Sequence, residues 1–368
     1  MFVFYQRRVN VKNSTKLSFL LLLASPIIVL TGCNQTSAKN LDKKSQDVKS
    51  VVMVTDANGV DDKSFNQSAW EGLVEWGKAE GVNKGQQGYD YIQSNDPSEF
   101  TTNIDQALSS NFNTIVGVGF LIRDAIEQSA KQNPEQQFAI IDSVIENQPN
   151  VVSASFRENE VAYLAGVAAA MTTKTDKVGF IGGEEGAIID RFEVGYEKGV
   201  KDTAAKLGKD IKVDIKYAAS FSDPAKGKML AARIYHDGSD IIYHASGGTG
   251  AGVFQEAKAL NEAKPKHKVW VIGADKDQTE DGNYRDSSGK EQNLTLTSAV
   301  KRVGAAVKDI ADKANQGKFP GGEHLVYGLE NDGLALIDGN MEQEVILAVK
   351  DAHKKIVNGE LKIPSEKE

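Results

Sequence analysis

The sequence is poor in three features that would each point to a particular function. It has a single cysteine, Cys33, which excludes an internal disulfide. Its five histidines are scattered without the spacing of metal ligands, so we expect no metal site and place them at the surface or in turns. Lys and Arg number 43 against 51 Asp and Glu, and no basic stripe with interleaved aromatics follows residue 50. Nucleic acid is therefore not an expected partner.

Enzyme signatures are also missing. No HExxH motif occurs, and no lysine follows a glycine loop in the way that a Walker motif requires. The segment GGTGAG (247–252) lacks the dinucleotide-binding spacing because Val253 stands in place of the third glycine. This glycine-rich segment is better explained as a helix N-terminus that packs closely or approaches a ligand. We expect no enzymatic activity, no catalytic residues and no cofactor.

The N-terminal region differs in composition from the rest of the chain. Four basic residues precede the apolar run LSFLLLLASPIIVL (17–30), which has the length of a signal peptide and is short for a spanning helix. The run ends in LTGC, which resembles the lipobox of bacterial lipoproteins; a chance small-residue cleavage site is the alternative. We therefore predict a signal peptide over 1–32, lipidation of Cys33, and a polar tether over 33–49. The protein would be held to the cell membrane at its extracytoplasmic face, on a Gram-positive surface or in a periplasm.

From about residue 50, short apolar strands alternate with helical stretches. Runs such as VVMVT (51–55), TIVGVG (114–119) and KVWVIGAD (268–275) are continuous and rich in β-branched residues, as strands buried on both faces are. Asp96 and Pro97 are a typical N-cap and first residue of a helix. The alternation predicts an α/β fold with parallel sheets, and about a dozen strands favour two lobes.

Ligands of open α/β sheets bind beyond the carboxyl ends of the strands. Asp56, Asp142 and Asp275 each end a predicted strand, and Phe221 follows another. Carboxylates accept hydrogen bonds from hydroxyl and ring N–H groups, and aromatic faces stack on flat rings or sugars. Each aspartate could instead cap a helix or close a turn, and the phenylalanine could be a core residue. The set suits a neutral polar ligand with many donors.

The first strand-to-helix turn contains two groups of residues with different expected roles. Asp61 and Asp62 precede a helix predicted to begin near Ser64, where negative charge stabilises the helix N-terminus. Asp56 and the helix residues Phe65 and Asn66 are expected to face a ligand-binding cleft at the carboxyl ends of the strands. A weak repeat of this pattern occurs in RFEVGYEKGV (191–200) and agrees with a second lobe starting near residue 177.

Four segments together resemble the basic membrane protein family of bacterial lipoproteins. They are VTDANGVDDKSFNQSAWEGL (54–73), FSDPAKGK (221–228), IGADKDQ (272–278) and LTSAVKRVG (296–304). Members of that family are nucleoside-binding components of ABC importers. The resemblance implies a type I periplasmic-binding-protein fold: two doubly wound parallel-sheet lobes, three crossover strands, and a ligand cleft between the lobes. It implies purine nucleosides as ligands and a membrane permease with its ATPase as partners.

The resemblance also assigns roles in binding the base. It implies that Phe65 and Phe221 sandwich the base, one from each lobe. Asp56 and Asn66 would address the base edge or the nearby sugar, and Asp142 the base side of the cleft.

The sugar and the lobes are assigned in the same way. Asp275 and Lys301 would hold the ribose hydroxyls, and Gly247 and Gly248 would line the wall with their backbone. The expected lobes are 50–160 with 274–320, and 161–273 with 321–368.

Two other functions stay open from the sequence. The same fold could bind another small solute, such as a sugar or a signalling molecule. Alternatively, the chain could be a surface adhesion or antigen lipoprotein whose cleft has no transport role.

Overall fold

The computed structural model describes residues 48–263 and 267–367. The predicted signal peptide (1–32), the lipidation site Cys33 and nearly all of the tether (33–49) lie outside the described residues. Within the described part of the chain, no helix is long and apolar enough to cross a membrane.

The three apolar runs named above are strands in the structure, at 51–55, 114–118 and 270–275, within two residues of the predicted bounds. The three strands at 51–55, 114–118 and 241–245 are wholly buried, since a strand with a neighbour on each side and helices on both faces has no exposed surface. The structure has the following strands: β1 Val51–Thr55, β2 Tyr89–Ile92, β3 Thr114–Val118, β4 Gln137–Ile141, β5 Val151–Phe156, β6 Lys177–Gly182, β7 Lys212–Tyr217, β8 Ile241–Ala245, β9 Trp270–Asp275, β10 Asn283–Arg285, β11 Glu291–Asn293, β12 Thr295–Lys301, β13 His324–Tyr327 and β14 Leu334–Leu336.

The helices follow the strands in alternation, as predicted. Asp96 caps the turn before the second helix by accepting a hydrogen bond from the Ser98 backbone N–H, with Pro97 at the first position. The structure has the following α-helices: α1 Phe65–Glu80, α2 Phe100–Ser109, α3 Arg123–Gln132, α4 Glu158–Thr172, α5 Ala187–Leu207, α6 Pro224–His236, α7 Gly250–Ala263, α8 Val303–Asn315 and α9 Gln343–Val357.

The two large sheets share one topology. The first has the order β13-β5-β4-β3-β1-β2 with every pair parallel, and the second has β14-β12-β9-β8-β6-β7 with only β14 antiparallel. In both, the chain turns back after its first two strands, which creates a switch point between β1 and β3 and another between β6 and β8. Doubly wound α/β lobes are thereby confirmed, and each switch point is a place where a ligand can enter.

The chain crosses between the lobes three times within the described residues. The crossings lie at Arg157 between β5 and α4, at Arg302 between β12 and α8, and at 328–333 between β13 and β14. The sheets differ from the expected lobe boundaries in two places. Strand β12, expected in lobe 1, pairs with β9 of the second sheet, and β13, expected in lobe 2, pairs with β5 of the first. Strand pairing is a long-range choice, and neither short segment reveals its partner locally.

Candidate functional site

A cavity lies between the two lobes at the carboxyl ends of both sheets. It has an empty volume of about 490 Å³, which includes the space that opens to solvent. One wall comes from the switch point of lobe 1, with Asp56 after β1 and Gly119 after β3. The other comes from lobe 2, with Ala245 and Gly247 at the end of β8 and Phe221 after β7. The two sheets therefore direct their ligand-binding edges at each other.

Eight of the nine residues expected in the site line this one cavity. Gly248 lies next to the lining: a Cβ added there would be 3.3 Å from the Phe221 carbonyl oxygen and 3.8 Å from Asn58 Oδ1. That these residues contact a ligand stays a prediction. The eight that line the cavity are Asp56, Phe65, Asn66, Asp142, Phe221, Gly247, Asp275 and Lys301.

The turn between β1 and α1 sets the orientation of a buried amide. Asn66 Nδ2 donates to Asp56 Oδ1 at 2.9 Å and to Asp62 Oδ2 at 3.1 Å. With two carboxylates on its amino side, the amide cannot reverse, so its oxygen is directed away from them. Asn66 Oδ1 is buried and has no hydrogen-bond partner among the described residues. A buried acceptor without a partner is costly, and a ligand donor would satisfy it.

Asp62 has two roles rather than the single one expected. It starts the helix, since its carboxylate accepts backbone N–H bonds from Ser64, Asn66 and Gln67 at 2.8–3.1 Å. It also lines the cavity through its contact with the Asn66 amide. Asp61, by contrast, is exposed. The two neighbouring aspartates therefore differ: Asp62 both starts the helix and lines the cavity, whereas Asp61 faces solvent.

Gly119 allows the Asp56 carboxylate to lie against β3. A Cβ at this position would be 2.6 Å from Asp56 Oδ2, so any side chain would displace the carboxylate. Its backbone has φ of 107°, a conformation that glycine adopts without strain. The turn after β3 is therefore shaped around Asp56.

Aromatic rings from both lobes line the cavity. Phe65 is the first residue of α1 in lobe 1, and Phe221 follows β7 in lobe 2. Phe120 meets Phe221 edge to face across the cleft, with ring centroids 6.1 Å apart. Phe221 itself lies on Gly183, where a Cβ would come within 2.2 Å of its ring. Only glycine there leaves the ring in its present position.

Lys301 joins the lobes inside the cavity. It ends β12 in lobe 2 and is 1% exposed, yet its ammonium bonds Asp142 of lobe 1 and Glu158 Oε1, the latter at 2.9 Å. The other Asp142 oxygen, Oδ1, is buried without a partner among the described residues. A second link between lobes is formed by Ser64 Oγ, which donates to Asp275 Oδ2 at 2.5 Å. The site therefore contains an ion pair between the lobes and, beside it, a carboxylate oxygen that can still accept a hydrogen bond from a ligand.

Burial governs the protonation of the acidic residues. It raises the pKa of Asp56 to about 7 against an opposing hydrogen bond from Asn66, and the charge of Asp62 adds to the rise. Burial likewise raises the pKa of Asp62 and that of Asp275 above their ordinary values. The acidic groups are thus held where negative charge is costly, so ligand donors that offset this charge are favoured.

Burial and neighbouring charges also set the pKa values of the two partners in the ion pair between Asp142 and Lys301. Burial raises the pKa of Asp142 to about 6, although the charge of Lys301 opposes the rise. Burial alone would lower the pKa of Lys301, but the charges of Asp142, Glu158 and Asp275 raise it by more. Carboxylates outnumber cations in this cavity, which favours neutral, donor-rich ligands over anions.

Sequence reasoning missed several residues of the lining. Phe120 stands at a strand end that was recognised but not assigned to the site, and Asn58 lies in the first turn. Ile188, Ile189 and Phe192 come from the start of α5; for Phe192 the repeat of the Phe65 pattern was the available signal.

One histidine was also misplaced by the sequence analysis. His244 is fully buried in β8 rather than at the surface, and its Nε2 pairs with Gln278 Oε1 at 2.9 Å. Burial lowers its pKa to about 4. It is a neutral core residue, and the described residues contain no cluster of three or more His, Cys, Asp or Glu placed to hold a metal.

Comparison with known proteins shows which family the chain is similar to. The sequence model of the family described as ABC transporter substrate-binding protein PnrA-like, or Bmp, matches residues 49–367. The chain is 50% identical over 340 residues to the ABC transporter nucleoside-binding protein BmpA of Lactococcus lactis subsp. cremoris, covering 92% of this chain and 95% of the relative. It is 31% identical to basic membrane protein A of Borreliella burgdorferi, covering 96% of each chain.

A solved structure supports the same relationship. The crystal structure of ABC transporter system solute-binding proteins from Aeropyrum pernix K1 has a TM-score of 0.75 and 27% identity, covering 87% of this chain and 94% of that one. These are binding proteins and not enzymes. The resemblance seen in the sequence is confirmed: the chain belongs to the Bmp family of PnrA-like ABC transporter substrate-binding proteins.

Proposed function

We propose that the protein captures purine nucleosides outside the cytoplasm and delivers them to an ABC permease for import. The observation that carries the proposal is the set of side chains that line the cavity between the lobes. Phenylalanines from opposite lobes line it, together with buried acceptors that lack partners, Asn66 Oδ1 and Asp142 Oδ1. A nucleoside has what these groups require: a flat base with N–H groups and a sugar with hydroxyl donors. The nucleoside-binding name of the Lactococcus relative supports this reading.

In the proposed complex the base stacks between Phe65 and Phe221. Stacking of a base on an aromatic side chain contributes about 1–3 kcal/mol. Asn66 and Asp56 then accept hydrogen bonds from the base edge, and Asp142 lies on the base side of the cleft. The pinned amide supports this arrangement because Asn66 Oδ1 can only accept.

The ribose is proposed to lie against Asp275 and Lys301. Both side chains end neighbouring strands, β9 and β12, and both line the cavity. A carboxylate and an ammonium side by side can accept from one hydroxyl and donate to the next. The backbone of Gly247 and Gly248 would cover the remaining wall, where no side chain intrudes.

Closure of the lobes over the ligand is the proposed mechanism. The three crossings allow a hinge, and contacts made by the ligand to both lobes stabilise the closed form. Two contacts between the lobes would form as the cleft closes. They are the edge-to-face contact of Phe120 with Phe221 and the hydrogen bond of Ser64 with Asp275. A permease that recognises the closed form would receive only loaded protein.

The proposal includes the anchor. Cys33 would be acylated after signal-peptide removal and hold the protein at the extracytoplasmic face of the cell membrane through the tether. Acyl chains contribute about 0.8 kcal/mol per buried methylene, so more than one chain gives stable anchoring.

A thermal-shift screen tests the ligand class. Purine nucleosides should raise the unfolding temperature, since a ligand at about 100 times its Kd stabilises by about 2.7 kcal/mol. Calorimetry on Phe221→Ala should show a loss of at least about 1 kcal/mol in binding. Phe319→Ala is the matched control, because this phenylalanine is partly buried and outside the cavity lining.

The alternatives make opposite predictions. Stabilisation by a sugar or another solute, unaffected by Phe221→Ala, would replace the nucleoside assignment. No stabilisation by any nucleoside would favour a surface role without transport.

A further inference from the structure

The ammonium of Lys301 is held by groups from three parts of the molecule. Asp142 reaches it from the end of β4 in lobe 1, and Glu158 from the first residue of α4, directly after the first crossing. The rings of Phe65, Phe156 and Phe192 surround Nζ, with centroids at 5.1, 4.9 and 5.8 Å. A lysine stem is long and flexible, so these neighbours determine where its charge lies.

Glu158 differs from Asp142 in that it does not line the cavity. It is wholly buried, and both of its oxygens are engaged: Oε1 with Lys301 at 2.9 Å and Oε2 with Arg191 Nε at 2.6 Å. Arg191 lies on α5 and keeps a 20% exposed side chain. Glu158 therefore links the cavity lysine to an arginine behind the cavity wall without touching the ligand space itself.

The geometry leaves one donor of Lys301 for a ligand. An ammonium has three N–H groups. Two are taken by Asp142 and Glu158, and no third acceptor within residues 48–263 and 267–367 bonds to Nζ. Because Lys301 lines the cavity, the two carboxylates together decide whether the third N–H is presented to a ligand there.

We propose that Glu158 is a positioning residue for nucleoside binding, holding Lys301 so that its remaining N–H meets a ribose hydroxyl. The inference rests on the proposed nucleoside function. Without Glu158, the ammonium can rotate fully toward Asp142 and withdraw its donor from the ligand. Arg191 holds the second oxygen of Glu158 and so keeps the carboxylate from following the lysine.

A purely structural role of Glu158 at the crossing is the competing explanation, and helix α4 supplies a matched control. Glu160 lies in the same first turn of α4 and is also buried and ion-paired, to Arg157 at 3.4 Å. Its Oε2 accepts a hydrogen bond from the Leu329 backbone N–H at 2.9 Å, and it does not contact Lys301. Glu160→Gln therefore perturbs the crossing but not the lysine.

The experiment compares inosine with 2′,3′-dideoxyinosine, which share a base and differ in the ribose hydroxyls. Calorimetry is run on wild type, Glu158→Gln and Glu160→Gln. In Glu158→Gln the affinity for inosine should fall about tenfold, because the charge-assisted bond from Lys301 to a ribose hydroxyl is lost. The affinity for the dideoxy ligand, which lacks that hydroxyl, should change little. Glu160→Gln should leave the ratio of the two affinities as in wild type. If Glu158→Gln folds poorly, Glu158→Leu with Arg191→Leu removes the carboxylate together with its guanidinium partner, and the affinity for inosine should again fall relative to the affinity for the dideoxy ligand.

A second measurement reads the lysine without ligand. The ¹H–¹⁵N signal of the Lys301 ammonium, assigned with Lys301→Arg, should move in Glu158→Gln and stay in Glu160→Gln. An unmoved signal, or equal losses for both ligands, would overturn the positioning role while leaving nucleoside binding intact. A folded wild type that binds neither ligand would refute the proposed function, and the inference with it.

Discussion

Replacing Asp56 by Asn should make the protein more stable at neutral and alkaline pH while weakening its site. The Asp56 carboxyl is 7% exposed, next to Asp62, and burial raises its pKa from the ordinary 3.8 to about 7. Asn has nearly the same shape and can still accept the bond from Asn66 Nδ2. The substitution therefore removes the cost of a buried charge and keeps the local contact.

The sign of the pH dependence follows from proton binding. Between about pH 4 and pH 7 the folded protein keeps the Asp56 proton while the unfolded chain has lost it, so the free energy of unfolding falls as pH rises. A pKa that rises from 3.8 to about 7 corresponds to about 4 kcal/mol at 1.36 kcal/mol per tenfold change in proton affinity. Opening of the cleft hydrates Asp56, so this value is the upper limit.

Urea denaturation of wild type and Asp56→Asn between pH 4 and pH 8 measures the effect. The variant's advantage should grow by up to about 4 kcal/mol as pH rises to about 7 and then level off. Asp61→Asn, at an exposed carboxylate in the same turn, should show no such growth. A difference between Asp56→Asn and wild type that stays constant with pH, or shrinks as pH rises, would refute the reasoning.

Two further predictions concern the ligand and the position of a ring. Guanosine should bind far more tightly than its 5′-monophosphate in calorimetry, because the phosphate would meet a cavity in which carboxylates outnumber cations; equal affinities would contradict this. Gly183→Ala should lower nucleoside affinity by about tenfold, since a Cβ 2.2 Å from the Phe221 ring forces that ring out of its stacking position. Unchanged affinity with a normal unfolding temperature would show that Phe221 does not stack on the base.

The alternation of strands and helices, and strands such as β1, β3 and β9, could be predicted from local sequence. Buried parallel strands need continuous apolar runs, and VVMVT and TIVGV are such runs. The lobe membership of β12 and β13 could not be predicted in this way. Their partners, β9 and β5, are decided by which sheet edges the three crossings bring within reach.

Some residues of the candidate site could likewise be predicted from the sequence, and others could not. Strand-end chemistry indicated Asp56, Asp142 and Asp275, because the carboxyl ends of parallel strands lie at one edge of a sheet. It did not indicate Phe192 or Glu158, which lie on helices. Helical residues approach the cavity only because of how α4 and α5 pack against the sheet.

The sequence alone determined the alternation of strands and helices, the absence of enzyme signatures, and the residues that stand at strand ends, since each depends on short-range pattern. Only the tertiary structure decided which of these residues meet. Asp142 and Lys301 are 159 positions apart, yet they share one buried ion pair, and Asp62 belongs to the cavity as well as to its helix. The protonation and hydrogen bonding of a buried polar group depend on neighbours from both lobes, and no local pattern in the chain encodes those neighbours.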